Sequence, residues 1–351
     1  MTKIKRKDRG LFEYQERIER LSHIKRPLDK LNLVADWEIF RPILNDVFEP
    51  KEQKGPGGAP HYDYVLMFKI LIFQRYYNLS DEETEFRCND MLSVQRFLGI
   101  SLSDKVPDCN KIWEFKERLT KAKAIKKLFD QFDKMLENQG VIGKSGVIVD
   151  ASFVDVPRQR NNRDDNKKIK EGEIPEDWKN NPHKLSHKDT DARWAIKNKE
   201  KHYGYKNHAK VDVKSKIVRE YEVTSANVHD SQAVEPLLND KDNGKPFYAD
   251  SAYVGPAVAD ILKKFKMKNR IHEKGYRNKP LTDRQKEKNK RKSRIRVRVE
   301  HVFGFVENSM NGSTIRTIGK ERAEGQIGLM NLVYNLARYA VIKSRIAFCV
   351  A

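Results

Sequence analysis

The sequence predicts an α/β protein in two parts: a helical N-terminal domain over residues 1–140 and a domain of strands and helices over 141–351. Three observations carry this. Apolar residues up to Gly140 recur at helical spacing, whereas short β-branched runs set in at Val147. From there the order reads three strands, helix, strand, helix, strand, helix, which suits a sheet flanked by helices. And 351 residues, 38% hydrophobic and 34% charged, hold enough apolar material for a large core but exceed one ordinary one.

The elements follow in order. Residues 36–48 have helical spacing, and the Gly/Pro-rich KGPGGAP at 54–60 reads as a linker. Tyr64–Tyr77 is a helix apolar on most sides, hence largely buried. Ser80, with Glu83 three residues on, is a capping box for a helix running to Gly99. Asp108, after Pro107, opens the next helix, and 124–139 ends at Gly140 as its cap. Strands are expected at 146–152, 206–215 and 216–226, the last two paired across the Lys214–Lys216 turn. A short helix at 231–238 precedes a buried strand at 245–253. A helix at 257–265, a strand at 269–273, a long basic helix at 281–308 and a final helix at about 321–347 complete the chain.

The 70 Lys and Arg against 50 Asp and Glu leave +20, which excludes a generic acidic cytosolic enzyme and points to a polyanion partner. Residues 263–298 hold 17 Lys or Arg against Glu273, Asp283 and Glu287, a net +14 in 36 residues. Contact with a phosphate backbone explains such a block better than a solvated face does. Lys288, Lys290, Arg291, Lys292, Arg294, Arg296 and Arg298 are the expected DNA contacts. Residues 158–201, with 13 basic and 9 acidic side chains and almost no apolar period, read as a long polar surface loop inserted in the second domain. Cys88, Cys109 and Cys349 are too few and scattered for a disulfide framework. The N-terminal MTKIKRKDRG has no apolar run behind it, and the longest apolar stretch is nine residues, interrupted by Lys69. A soluble cytoplasmic protein with no membrane partner is expected.

Asp150 and Asp250 each end an apolar strand, and carboxylates so placed are costly unless paired or bound to a cation. Strands lying side by side would bring the two together at one end of a sheet. Glu300 follows the basic block among Val299, Val302 and Phe303, so its helix packs there, and the side chain is expected to project towards the sheet. Hard oxygen ligands suit Mg²⁺ or Mn²⁺, and two such ions about 3.5–4 Å apart can activate water and stabilise the leaving oxygen of a phosphodiester.

With these residues in place, the chain resembles bacterial insertion-sequence transposases of the DDE type, in the insertion sequence five family of the insertion sequence four superfamily. Asp150, Asp250 and Glu300 look like the triad. Residues 65–119 resemble the family's N-terminal helical domain, VIVDASFVDVPRQR its first catalytic strand, and GYKNHAKVDVKSKIV its second and third strands. ANVHDSQAVEPLL, FYADSAYVG and RVRVEHVFG follow in the family's order. The resemblance implies a ribonuclease-H-like fold with a mixed five-stranded sheet and two Mg²⁺ ions per site. It also implies metal-dependent phosphodiester hydrolysis and strand transfer on double-stranded DNA with terminal inverted repeats, in the bacterial nucleoid. A homodimer on paired ends is expected, because one triad serves one phosphodiester at a time. One departure stands out: Ser293 and Glu307 occupy the positions of the superfamily's flanking Tyr and Lys.

Other signals are weaker. Gly143-Lys144-Ser145 lacks the earlier glycine of a phosphate loop, where Asn138 stands, and precedes a strand. His183 and His187 have no third ligand nearby, which argues against zinc. His208 and Asp212 share a strand face, either beside the metal site or as a satisfied pair. His229-Asp230 is an N-cap or a functional pair. Trp178 and Trp194 either stack on unpaired bases or anchor the polar loop. Two other functions compete with a transposase: a structure-selective nuclease on the same fold, and a domesticated DNA-binding protein that no longer cuts. The domain-length resemblance argues against the former, and the presence of all three acids against the latter.

Overall fold

A computed structural model describes residues 12–24, 27–49, 61–143, 145–197, 199–277 and 279–350. The predicted linker at 54–60, the N-terminal MTKIKRKDRG and Lys144 of the Gly-Lys-Ser tripeptide lie outside these. Among the described residues eight α-helices come first: α1 (Glu13–Ser22), α2 (Pro27–Val34), α3 (Arg41–Phe48), α4 (Tyr64–Tyr77), α5 (Asp81–Asp90), α6 (Leu92–Leu98), α7 (Cys109–Lys121) and α8 (Ala124–Asn138). Side chains cap the starts of α4, α5 and α7, as an unpaired first-turn N–H demands. Asp63 accepts from the Leu66 N–H, Ser80 from Glu83 and Asp108 from Lys111. The helix expected from Ser80 to Gly99 is broken at Met91, whose extended backbone separates α5 from α6. Glu83 turns to Arg87 instead of closing a capping box. Helix α4 is buried on nearly every side, as its composition requires.

The second part holds β1 (Val147–Asp155), α9 (Arg163–Lys170), α10 (Glu176–Lys179), α11 (Pro182–Ser186), β2 (Arg193–Lys197), β3 (Glu200–Asp212), β4 (Val218–Ser225) and α12 (Val234–Leu237). It ends with β5 (Pro246–Tyr248), α13 (Pro256–Lys264), β6 (Lys268–Asn269), α14 (Asp283–Met310) and α15 (Lys320–Val350). The sheet has six strands, ordered β2-β3-β1-β5-β6, with β4 also on β3. Strands β2 and β4 take consecutive stretches of β3, and β1 pairs antiparallel with β3, with Asp150 opposite Ala209. Strands β5 and β6 continue parallel to β1. This is a mixed sheet with flanking helices behind a helical region, the ribonuclease-H-like arrangement, with one strand more than the expected five.

Alternation along β1 assigns its faces. Ile148 joins the large apolar cluster that also takes in the N-terminal helices, α14 and α15. Val147 and Val149 face a second cluster, closed by Val234, Leu237, Val258 and Leu262 of α12 and α13. The core therefore runs on across residue 140. Helix α15 packs on α2, α4, α7, α8 and β4, and Gly328 allows the approach: a Cβ there would lie 2.3 Å from the Tyr221 hydroxyl. Asn335 accepts from the Val218 N–H at 2.9 Å and donates to its carbonyl at 2.7 Å, fixing the helix along the strand.

Three expectations need correction. Residues 158–201 are not a structureless loop; they carry three short helices and β2. Trp178 and Ile169 are buried, and Arg193 donates to the carbonyls of Thr190 and Ile169. Buried Asp189 accepts from the Tyr205 hydroxyl and the Ala192 and Gly319 N–H groups. Anchors this sparse leave no periodic trace. Trp178 is thus an anchor, whereas Trp194 is half exposed. The strand expected over 245–253 is only three residues long, because Asp250 accepts from the Ala252 N–H and starts a turn. The strand expected over 269–273 pairs formally only at 268–269, although Arg270 and His272 still donate to Phe247 and Ala249.

Candidate active site

Parallel pairing sets Val147 beside Phe247 and Ile148 beside Tyr248. Asp150 and Asp250 each lie two residues farther along, so they emerge side by side. Asp150 does not close its strand as expected but sits within β1, which runs on to Asp155, while Asp250 lies just past the end of β5. Both open into a cavity of about 650 Å³, with Asp155, Glu307, Arg296 and Lys197 also on its wall. Asp150 is largely enclosed though still open to the cavity, and burial raises its pKa to about 6. The Ala151 N–H and Arg296 oppose that rise, and the charge of Asp250 adds to it.

Glu300 is placed differently. Val299 and Val302 are buried as expected, but Glu300 is exposed and does not line the cavity. Arg296 bridges the gap: it donates to Asp150 at 2.9 Å and to Glu300 at 2.8 Å. The structure thus brings Asp150 and Asp250 together and joins Glu300 to them through a guanidinium. Among the described residues, no three His, Cys, Asp or Glu side chains lie close enough to ligate one ion. The chemistry of the pair nonetheless fits a hard divalent cation. It is an all-oxygen set, with one carboxylate buried against a second negative charge.

Sequence reasoning missed several groups here. Glu307 sits two helical turns beyond Glu300, a spacing that should have flagged it. The Tyr253 hydroxyl is buried with no hydrogen-bond partner. Burial, with the charges of Asp150, Asp230 and Asp250, holds its pKa well above the usual value. His272 near Arg296 is pushed below the usual imidazole range, chiefly by burial.

The seven expected DNA contacts divide by helix face. Lys288, Lys290, Arg291 and Arg294 are exposed. Lys292 donates to the Ile271 carbonyl at 2.7 Å, Arg298 to the Val213 carbonyl at 2.7 Å, and Arg296 to the two carboxylates. The remaining polar signals are structural. Asp212 accepts from Ser215 within its turn, and His208 is buried against Thr224, with its pKa lowered to about 4 by burial. His229 accepts from the Ser231 N–H as an N-cap. The His183 and His187 rings pack on each other, and His187 lines a second cavity.

A mixed sheet with flanking helices, on which two aspartates from neighbouring parallel strands meet beside a basic helix, defines a ribonuclease-H-like fold. Residues 142–336 match the family model described as Transposase DDE domain, and residues 12–118 match that described as Transposase domain (DUF772). The chain belongs to the DDE transposase family. Among solved structures it is similar to piggyBac transposase in a synaptic complex with hairpin DNA, seen by cryo-EM. That match has 12% identity and a TM-score of 0.47, over 92% of this chain and 76% of that one. No helix among the described residues is long and apolar enough to cross a membrane.

The raised Asp150 pKa carries a stability consequence. The folded chain binds this proton more tightly than the unfolded chain, so stability falls as pH rises from about 4 to 6 and the penalty is complete above that. The gap between 3.8 and about 6 corresponds to about 3 kcal/mol. Asp150→Asn should therefore raise the melting temperature at pH 7 in EDTA and change it little at pH 4. A thermal-melt series across pH checks this, and an Asn variant no more stable than wild type at pH 7 contradicts it.

Proposed function

We propose that this chain is a DNA transposase, of the insertion sequence five group, that cleaves and rejoins phosphodiesters at the ends of a mobile element. The single observation that carries this is that Asp150, within β1, and Asp250, just past the end of the neighbouring parallel strand β5, share one cavity. Asp150, Asp250 and Glu300 are the residues that would hold the divalent ions. Mg²⁺ or Mn²⁺, two per site, would supply a nucleophile at neutral pH and charge stabilisation for the leaving oxygen. Glu300 joins the aspartates once Arg296 releases it. The protein's own contribution is to fix the two aspartates on a rigid sheet, bury Asp150 so that it favours a cation, and present the exposed basic flank of α14 to the DNA backbone. The experiment is cleavage of terminal DNA by the full-length chain in Mg²⁺, with Ca²⁺ to separate binding from cutting.

Cutting two ends together needs two triads, and the sequence has one. A twofold dimer on paired terminal inverted repeats follows, closed symmetry being the commonest oligomer. Light scattering should show monomer or weak dimer without DNA and a dimer with end duplexes. Double-strand excision by one chain per end contradicts this. Acting on DNA, such a protein works in the cytoplasm at the nucleoid.

A further inference from the structure

A second cavity, of about 480 Å³, opens where α4, α5 and α7 meet the segment leading into α15. Arg75 lines it. This arginine is only 3% exposed, and its Nε and Nη2 are enclosed with no hydrogen-bond partner among the described residues. Burial and the nearby charge of Arg316 push its pKa down to about 10. The two acids on the cavity wall are already committed. Asp81 accepts from Lys116 at 2.6 Å and Gln74 at 2.7 Å, and Glu117 takes both arms of Arg322 at 2.7 and 3.0 Å. Arg316, also on the wall, is exposed and has no ion-pair partner among the described residues. Thr317 adds a buried hydroxyl without a partner.

Buried donors are nearly always satisfied, so a buried guanidinium and a hydroxyl left open beside a second free cation call for an anion with several acceptor oxygens. A phosphate meets that need, since its oxygens match the guanidinium fork. Two features favour a nucleic-acid source over a free ion. Trp113 stands half exposed on the same wall, a surface on which a base can stack. One short segment of chain also lines both this cavity and the active site. Ser313 and Thr314 line the cavity of Asp150 and Asp250, and Arg316 and Thr317, two residues on, line this one. That segment is held to the end of β1, where the Ser313 carbonyl accepts from the Asp155 N–H and the Ile315 N–H donates to the Asp155 carbonyl.

We propose that this cavity binds a backbone phosphate of a DNA strand, with Arg75, Arg316 and Thr317 on its oxygens and an adjoining base on Trp113. The strand would run along residues 313–317 from the carboxylates into the cavity. The choice of DNA as the source rests on the transposase reading; the anion site itself does not.

The test uses full-length chain, labelled single-stranded and duplex oligonucleotides in Ca²⁺, and inorganic phosphate as a separate probe. Arg316→Gln, on the surface, should weaken oligonucleotide binding several-fold and lower the slope of log K against log salt by about 0.7 to 0.9. Trp113→Ala should weaken binding with the slope unchanged. Phosphate should raise the melting temperature of wild type but not of Arg75→Gln. Wild-type affinity and slope in both Arg316→Gln and Trp113→Ala overturn the proposal, whether or not Arg75→Gln folds. Phosphate protection with unchanged oligonucleotide binding marks a free-anion site and overturns the DNA assignment. A wild type that cuts terminal DNA while these variants bind normally sinks the cavity assignment alone. Weakened binding in the variants of a chain that never cuts supports the cavity and sinks the catalytic reading alone.

Discussion

Asp150→Ala, Asp250→Ala and Glu300→Ala should each lower strand cleavage on the order of 10³-fold or more while leaving affinity for terminal DNA nearly intact. The reason is geometric. Asp150, within β1, and Asp250, just past the end of β5, line one cavity, and the exposed Lys288, Lys290, Arg291 and Arg294 of α14 do not. Removing a carboxylate there takes away a cation ligand and leaves the phosphate-binding side chains in place. Glu300 is the sharpest of the three cases, since it reaches the aspartates only through Arg296. A Glu300→Ala protein that cuts at the wild-type rate removes Glu300 from the site. Glu307, already on the cavity wall, would then be the next residue to test. Cleavage in Mg²⁺ and mobility shifts in Ca²⁺ read the two effects separately.

The second large effect concerns the basic helix. Substituting Lys288, Lys290, Arg291 and Arg294 together by Gln should weaken binding to every DNA sequence tested. It should also flatten log K against log salt by about 0.9 for each phosphate no longer neutralised, up to roughly 3.6 for four. Lys292 and Arg298 are excluded from this set because their charged groups are engaged by backbone carbonyls. Lys292→Gln should leave the slope unchanged and instead loosen the packing of α14 on the 271–273 segment. A fourfold variant with a wild-type slope would make the block a solvated face.

Much of the fold and the aspartate pair was legible in the sequence because the signals were local. Ser80 and Asp108, read as helix starts, each cap a helix through a side chain three residues from its donor N–H. Asp150 and Asp250 stand out because an acid closing an apolar run is costly without a reason. The inward turn of Lys292 and Arg296 was also available: three- and four-residue steps towards the N-terminus from Val306 and Val302 land on Val299, then Arg296 and Ile295, then Lys292. Charge density obscured that periodicity.

What stayed hidden depends on long-range contacts. The fold of 158–201 turns on Trp178, Ile169 and Asp189, three buried groups with no repeat between them. Glu300 was expected to face the sheet from the apolar character of its neighbours, yet the rotation of α14 leaves it on an exposed flank. Arg75 lies in the most apolar helix of the chain, where an arginine gives no hint of a cavity formed with residues more than two hundred positions away.

The central claim is that this chain uses its sheet carboxylates to cut and join DNA at the ends of a mobile element. The most direct measurement incubates the full-length chain and Mg²⁺ with a plasmid carrying its coding region between the native flanking repeats. The account predicts excision of the flanked segment with cuts at the repeats, absent in EDTA and absent with Asp250→Ala. Nicking without regard to the repeats, or binding with no cutting in either Mg²⁺ or Mn²⁺, would contradict it.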